Sequence, residues 1–332
     1  MRKSFATQPA LFAGPALLDH PALKALDPLE ELFDWPALEA TVTAAGGKAT
    51  GRPGYPVQTL LRALLLGIWH GLSDERLADQ LARDLLFRKF CRLEIDAATP
   101  DATTIGRFRA QLEAEGRLAA LFEAVKAQLE AKNVIMAEGR VAIIDATVVE
   151  AARTGRGKRA EGETDSRDPE AGAHVKIDAR GRKVGTWGYQ YQVNVDEDGF
   201  IHDQVVTPGN AHEIRTWERL MTGGETQLYA DCAYSARETR DRLAARGVAD
   251  RVQRKGYRSH PLPEAEVERN KEIGVTRAGV ERLFGHGKRV WGLARTRFMG
   301  LSRNRTQFTL VAIAWNIWKG GRFFTLYGLR TS

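Results

Sequence analysis

Apolar residues in the first part of the chain recur at the three- and four-residue intervals of an amphipathic helix. Between positions 57 and 93 this spacing predicts two antiparallel helices. Pro100 and Asp101 then mark the start of a third long helix. Residues 1–48, rich in Ala, Leu and Pro, predict an irregular arm with one short amphipathic helix. The pattern therefore divides this region into an N-terminal arm, 1–48, and an all-helical domain, 49–137.

The pattern changes to that of a β-sheet in the remaining residues, 138–332. A β-rich apolar run ends at Asp145 and is typical of a buried central strand. Alternation from 189 to 206 predicts a β-hairpin, and another short strand ends at Asp231. Three antiparallel strands followed by helix, strand, helix and strand are the order of a ribonuclease-H-like α/β core. The sequence thus predicts a mixed sheet flanked by helices, preceded by an all-α domain.

Three further stretches carry weaker structural signals. Residues 153–187 are dense in Gly and charged side chains, which predicts a long mobile loop. Residues 212–221 predict a helix, and the most apolar stretch, 310–318, predicts a short buried helix. Gly285 and Gly287 weaken the helical pattern in the stretch that follows position 280.

Composition is that of an ordinary globular protein and leaves the function open. Hydrophobic residues make up 43% of the 332 positions and charged residues 27%. Two cysteines, Cys91 and Cys232, lack CxxC spacing, which argues against a disulfide scaffold and a thiolate zinc site and fits a reducing cytoplasm. No run approaches the roughly 18 apolar residues that a membrane span needs. We therefore expect a cytoplasmic protein without a membrane partner.

Basic charge is concentrated at the C-terminal end of the chain. The net charge is +7, yet the segment from Arg282 to Ser332 has ten basic and no acidic residues and so carries +10, leaving −3 for the rest. Aromatic residues are interleaved with these cations, among them Trp291, Phe298, Trp315 and Trp318. A solvated basic face is one interpretation. The aromatic residues favour the other, a surface that follows a nucleic-acid backbone and offers stacking groups.

Three carboxylates are candidates for metal-dependent chemistry on a phosphodiester: Asp145, Asp231 and Glu281. Cutting a phosphodiester requires charge neutralisation at the entering and leaving oxygens, which two divalent ions about 3.5–4 Å apart provide. Mg²⁺ prefers carboxylate oxygens, so no His or Cys cage is required. Taken singly, each aspartate is also typical of a turn or helix cap, and the glutamate of a solvated helix face. Arg277 and Lys288 share one helical face with the glutamate and would place cations for phosphate beside it.

Seven short motifs are distributed along the chain: LSDERL at 72–77, PDATT at 100–104, IDAT at 144–147, TPGNAHE at 207–213, YADCAY at 229–234, VERLF at 280–284 and KR at 288–289. They resemble motifs of bacterial transposases in the group named after insertion sequence five, whose catalytic core is ribonuclease-H-like with an acidic DDE triad. The resemblance covers residues 51–319.

The resemblance implies that Asp145, Asp231 and Glu281 hold two Mg²⁺ ions, for which Mn²⁺ is expected to substitute. Arg277 and Lys288 match the Arg and Lys that flank the family's glutamate, whereas Gly274 stands where a tyrosine is common. The implied activity is binding to terminal inverted repeats as a homodimer or higher oligomer, cleavage at the element ends, and joining of the 3′ hydroxyl to target DNA. Such a protein is expected to work on nucleoid DNA in a bacterial cytoplasm.

The helical domain is expected to bind or dimerise on the DNA ends, and residues 138–332 to form the catalytic domain with a basic C-terminal tail. His212 is interpreted as a helix cap or part of the active-site rim, and Cys232 as buried filler. Two alternatives stay open, a catalytically inactive DNA-binding relative and a hydrolytic nuclease of the same fold. The residues predicted to contact DNA are Arg277, Lys288, Arg289, Arg295, Arg297, Trp291 and Arg303.

Overall fold

The computed structural model describes residues 19–43, 54–137, 140–152, 168–177, 181–257 and 259–327. Two features singled out in the sequence, part of the predicted loop at 153–167 and Arg330 of the basic tail, lie outside the described residues.

Seven α-helices make up the described part of the N-terminal region. Side-chain caps fix where two of them begin. Ser73 Oγ accepts a hydrogen bond from the amide of Arg76 at 3.2 Å, and Asp101 Oδ1 accepts one from the amide of Thr104 at 2.7 Å. The helices are α1 (Asp27–Leu32), α2 (Trp35–Val42), α3 (Val57–Trp69), α4 (Asp74–Arg83), α5 (Leu85–Phe90), α6 (Ala102–Ala114) and α7 (Arg117–Ala131).

The predicted helices of this region are divided more finely in the structure. The third long helix breaks at Gly116, whose φ of 63° lies in the left-handed region, so that α6 and α7 are separate. Residues 57–93 form three helices rather than two. The additional break falls at Asp84, whose carboxylate caps α5 by accepting from the amides of Leu86 and Phe87.

The described part of the predicted arm, residues 19–43, contains two α-helices rather than one. Trp35 is 3% exposed and Leu38 is fully buried. Helix α2 contacts α7, and α1 contacts the C-terminal helix. These residues therefore share a hydrophobic core with the helices that follow, and the limits of the arm and of the helical domain stay predictions.

The second half of the described chain contains a six-stranded sheet in the order β2-β3-β1-β5-β6, with β4 also paired to β3. The β1–β5 and β5–β6 pairs are parallel, and the pairs that β3 makes with β1, β2 and β4 are antiparallel. This confirms the predicted class, a ribonuclease-H-like mixed sheet flanked by helices after a helical region. The strands are β1 (Arg140–Glu150), β2 (Gly172–Ile177), β3 (Lys183–Val195), β4 (Ile201–Pro208), β5 (Glu225–Ala230) and β6 (Ala249–Val252).

Two predictions about connecting segments are wrong. The stretch predicted as a loop includes β2 and the start of β3, which pair as a hairpin. Val175 and Val184 in this hairpin are 57% and 49% exposed. Because the hairpin has no buried face here, its sequence lacks the alternation of apolar and polar residues that predicts a strand. The helix predicted at 212–221 is a 3₁₀ turn, Glu213–Arg215, followed by the four-residue helix α8 (Trp217–Leu220).

Three helices complete the second half: α9 (Arg237–Ala245), α10 (Glu264–Arg289) and α11 (Leu301–Tyr327). Helix α10 runs unbroken through Gly285 and Gly287. A Cβ at Gly287 would lie 2.6 Å from Leu293 Cδ1, so this glycine lets the following segment approach the helix closely. The predicted short helix at 310–318 is the buried centre of α11. None of the described helices, α11 included, combines the length and hydropathy that crossing a membrane requires.

Helix α11 connects the helical region to the sheet. The indole nitrogen of Trp69 on α3 donates to the carbonyl of Ala314 at 2.9 Å. Asn316 accepts from the amide of Ile201 on β4 and donates to its carbonyl, both at 2.8 Å. Buried polar side chains of α11 and α3 therefore fix the two halves of the described chain to each other.

Candidate active site

Asp145 and Asp231 lie at the same level on neighbouring parallel strands. Ile143 of β1 pairs with Tyr229 of β5, and each of these residues stands two positions before its aspartate. Strand β5 ends one residue before Asp231, while β1 continues past Asp145. The two carboxylates therefore meet at the edge where β5 stops, as the apolar runs in the sequence predicted.

Asp231 also has the local capping role that the sequence left open. Its Oδ1 accepts from the amide of Ala233 at 2.8 Å and caps the 3₁₀ turn Cys232–Tyr234. Cys232 is exposed, so its interpretation as buried filler is wrong.

Glu281 is brought to this edge by α10, which contacts both β1 and β5. Burial raises the pKa of Asp145, and the charges of Asp231 and Glu281 raise it further, while the charge of Arg277 lowers it. The charges of the other two predicted acids therefore both reach Asp145. As they stand, no three His, Cys, Asp or Glu side chains within the described ranges are arranged to hold a metal ion.

Arg277, predicted to contact DNA, lies among the acids and is only 8% exposed. Its Nη2 is 3.2 Å from Asp145 Oδ2, and its Nη1 donates to Gln253 Oε1 at 3.0 Å. Gln253 directly follows Val252, which pairs with Ala230, so Gln253 stands beside Asp231. The guanidinium thus spans β5, holding groups on both of its neighbouring strands.

Glu213 is a fourth carboxylate of this site. Burial and the charges of Asp231 and Asp145 raise the pKa of Glu213 to about 7. Its Oε1 accepts from Gln190 Nε2 of β3 at 3.1 Å. The sequence contained a signal, because Glu213 ends the motif TPGNAHE. The residue predicted to cap a helix or form the rim was instead His212, which is exposed and makes no side-chain cap bond.

Buried polar side chains of β3 fix the turn that carries Glu213. Gln190 is 1% exposed and Gln192 is fully buried. The hydroxyl of Thr216 donates to Gln192 Oε1 and to the carbonyl of Glu213. Hydrogen bonds from β3 therefore fix the position of the Glu213 turn.

Tyr234 and Lys176 also lie within electrostatic reach of the acid cluster, and neither was assigned to the site from the sequence. Tyr234 is fully buried, and its pKa is raised by burial and by the charges of Glu213, Asp145 and Asp231. The charge of Lys176 on β2 lowers the pKa of Glu213 and that of Lys288. Because β2 was predicted as a loop, its lysine could not be assigned to the site.

The other residues predicted to contact DNA are placed differently from one another. Lys288, Arg289 and Arg303 are exposed on helices α10 and α11. Arg295 donates to the carbonyls of Ala151 and Ala152, and the guanidinium of Arg297 donates to the carbonyls of Gly71 and Leu72. These two arginines tie the segment between α10 and α11 to β1 and to the helical region.

Trp291 is buried, at 5% exposed, and its ring is surrounded by other rings. It lies 5.7 Å from Trp315, 6.0 Å from Trp318 and 5.2 Å from His286, measured between ring centroids. The indole therefore offers no free face to a DNA base in this structure, because Trp291, Trp315 and Trp318 pack against one another as a structural cluster.

The sheet order, the two aspartates at the same level on neighbouring parallel strands and the glutamate on a helix that contacts both strands define a ribonuclease-H-like protein with an acidic site. A family model described as Transposase DDE domain matches residues 137–317, and a second, described as Transposase domain (DUF772), matches residues 18–111. The chain therefore belongs to the DDE transposase family, which confirms the family resemblance seen in its motifs. No solved structure matches the chain.

Proposed function

We propose that this protein binds the terminal inverted repeats of an insertion sequence, cleaves at the element ends and joins the freed 3′ hydroxyl to target DNA. The observation that carries the proposal is the meeting of Asp145 and Asp231 at one sheet edge, with the Glu281 helix packed across both strands. Family membership supports a DNA transposase. The bacterial nucleoid is the location that this activity requires.

The donor set fits divalent metal ions, which DDE transposases generally use. Asp145, Asp231 and Glu281 offer the hard carboxylate oxygens that Mg²⁺ prefers, with Mn²⁺ as a substitute. Two unit charges of like sign 4 Å apart repel by about 4 kcal/mol at an effective dielectric near 20, so converging acids favour a bound cation. When bound, two such ions would neutralise charge on the entering and leaving oxygens of the cut phosphodiester.

The chain's own residues would orient this site. Arg277, held by Gln253, keeps the carboxylate of Asp145 level with Asp231. Glu213, with its pKa near 7, retains a proton in much of the protein at neutral pH and so adds less negative charge beside the aspartates. Lys288, exposed beyond the glutamate on α10, is positioned to bind a phosphate of the DNA.

Three regions share the work in this proposal. The helical domain (49–137), which follows the arm (1–48), binds the element ends and dimerises, and the catalytic domain (138–332) cuts and joins. Exposed arginines of the basic tail then contribute to salt-dependent affinity for duplex DNA. The active form on DNA is a homodimer or higher oligomer.

Purified protein tests the proposal in one assay. Duplexes that contain the inverted repeats bordering the coding region are mixed with a target plasmid and Mg²⁺. Joined products support transposition, cut products alone identify a hydrolytic nuclease, and binding without cutting identifies an inactive relative. Single substitutions Asp145→Asn, Asp231→Asn and Glu281→Gln must abolish cutting and joining for the assigned acids to stand.

A further inference from the structure

A basic groove lies between α10 and α11 and is separate from the acid cluster. Its cavity measures about 440 Å³. Four cations line it, two from each helix: Arg282, Arg289, Lys319 and Arg322. His286 and Trp318 form part of its wall, and Asp198 is the one carboxylate that the lining includes.

The four cations are not neutralised by the described residues. Within the ranges that the structure describes, no carboxylate oxygen lies within 4.0 Å of their nitrogens, and aromatic rings hold two of them instead. Lys319 Nζ is 5.3 Å from the ring centroid of Phe200, and the Arg322 guanidinium is 4.9 Å from that of Trp318. Four cations beside one carboxylate, none of them in a close ion pair within the described ranges, leave the groove with a positive charge that attracts a polyanion.

The pKa shifts of Lys319 and His286 agree with this crowding of positive charge. Burial lowers the pKa of Lys319, and the charges of Arg282 and Arg322 act in the same direction, against those of Asp196 and Asp198. Burial also lowers the pKa of His286, as do the charges of Arg322 and Arg289.

The groove and the acid cluster flank the same exposed face of α10. Successive helical residues are about 100° apart, so Arg282, His286 and Arg289 form one stripe, and Arg277, Glu281 and Lys288 form another. Between the stripes lies Gly285, at which an added Cβ would meet nothing within 4 Å. A DNA strand that lies across this face would touch both stripes.

The rings in the groove point to contacts with phosphates and not with bases. His286 is stacked on Trp318, with ring centroids 4.8 Å apart and planes at 30°. Trp318 is covered on another side by Arg322, and Phe323 packs against Tyr327 with centroids 4.7 Å apart. Single-strand binding uses free ring faces for stacking, whereas duplex binding needs only cations beside the backbone.

We propose that the groove between α10 and α11 binds backbone phosphates of duplex DNA whose reacting phosphodiester lies at the acid cluster across α10. The role of the acid cluster rests on the proposed function. The binding itself does not, because it requires the cations alone.

The test compares the salt dependence of binding to a short fluorescein-labelled duplex of random sequence. In Lys319→Gln/Arg322→Gln protein, two lost phosphate contacts should reduce the slope of log K against log salt by about 1.8. The α10 pair, Arg282→Gln/Arg289→Gln, should give the same change. This second pair keeps the test valid if truncation of the half-buried Lys319 disturbs folding.

A matched control removes two charges elsewhere. Arg237 and Arg240 are exposed on α9, and Arg237→Gln/Arg240→Gln should change the slope by less than about 0.5. If the slopes of both groove variants equal that of this control, the proposed binding of DNA in the groove is wrong. An oligothymidylate of equal length should show a smaller change than the duplex; a larger one would overturn the assignment to duplex DNA.

The result separates the groove from the proposed function. If Asp145→Asn protein binds duplex DNA through the groove but the wild-type chain never cuts element ends, the groove proposal is supported and the proposed transposase function is wrong. If the wild-type chain cuts and joins while the groove variants match the control, the transposase function is supported and the groove proposal is wrong. A wild-type chain that binds no duplex at all overturns both.

Discussion

Arg277 on α10 is paired with Asp145 on β1, with 3.2 Å between Nη2 and Oδ2, and both groups are largely shielded from solvent. The pair joins the helix that carries Glu281 to the strand that carries the first acid. The arrangement of the acid cluster therefore depends on a contact between two oppositely charged residues, only one of which belongs to the triad.

Replacement of Arg277 by Gln should lower the free energy of unfolding of metal-free protein by about 2–4 kcal/mol, because a shielded carboxylate is left without its counter-charge. Asp145→Asn in the same protein should restore part of this loss. Urea denaturation with EDTA measures both, as a double-mutant cycle. Arg289→Gln, an exposed change on the same helix, is the control; an equal loss there would contradict the role of the pair.

Glu213 should make the stability of the metal-free protein depend on pH. Its pKa is raised to about 7 in the fold, so the protonated form is favoured. That contribution is complete below the unfolded pKa near 4.3 and is lost as the pH rises through 7. Asp145, Asp231, Lys176 and Arg277 are the charges that act on it.

The variant Glu213→Gln should remove this dependence and gain stability relative to wild type between pH 5 and pH 8, by on the order of 2 kcal/mol. Thermal or urea unfolding across this range in EDTA gives the difference. Glu272→Gln, an exposed change on α10, serves as the control. Parallel curves for wild type and Glu213→Gln would show that Glu213 is ionised throughout.

Removal of divalent metal should destabilise the wild-type protein and leave the acid variants unaffected. A cation at 100 times its dissociation constant adds about 2.7 kcal/mol to the free energy of unfolding. Asp145→Asn and Asp231→Asn should lose most of this gain and more than about 100-fold in end cleavage, since even outer groups of metal sites reach such losses. Melting temperatures with Mn²⁺ and with EDTA make the comparison. An undiminished Mn²⁺ shift in both variants would place the cation elsewhere.

Two glycines of α10 should respond in opposite directions to alanine. At Gly287 the new Cβ would meet Leu293 Cδ1 at 2.6 Å, so Gly287→Ala should lower the free energy of unfolding by about 1–3 kcal/mol. At Gly285 nothing lies within 4 Å, and Gly285→Ala should raise it by about 0.5–1 kcal/mol through helix propensity. Urea unfolding of the two variants tests the pair, and a loss of stability at Gly285 would be contrary to the open space beside it.

The two aspartates could be placed from the sequence because their signal is local. Each follows a short apolar run, and two such runs become neighbouring parallel strands in this fold. Glu213 could not be placed in the same way. It lies in a three-residue 3₁₀ turn without periodicity, and its environment comes from Gln190 of β3 and from acids on other strands.

The burial of Trp291 could not be predicted from the sequence for a related reason. Spacing along the chain shows that rings alternate with cations but not which of them face solvent. Trp315 and Trp318, more than 20 positions later, enclose Trp291 because α11 folds back beside it. The β2 strand was missed because its pattern lacks a buried face.

Helix α11, which carries most of the basic tail, is also a structural element in the interior of the protein. Its buried centre accepts a hydrogen bond from the indole of Trp69 in the helical region and binds the backbone of Ile201 in the sheet. Its surface carries Arg303, Lys319 and Arg322. Truncation of the tail would therefore unfold the protein in addition to removing its positive charge. Side-chain substitutions that leave the helix whole are therefore the suitable test of the proposed DNA binding by this region.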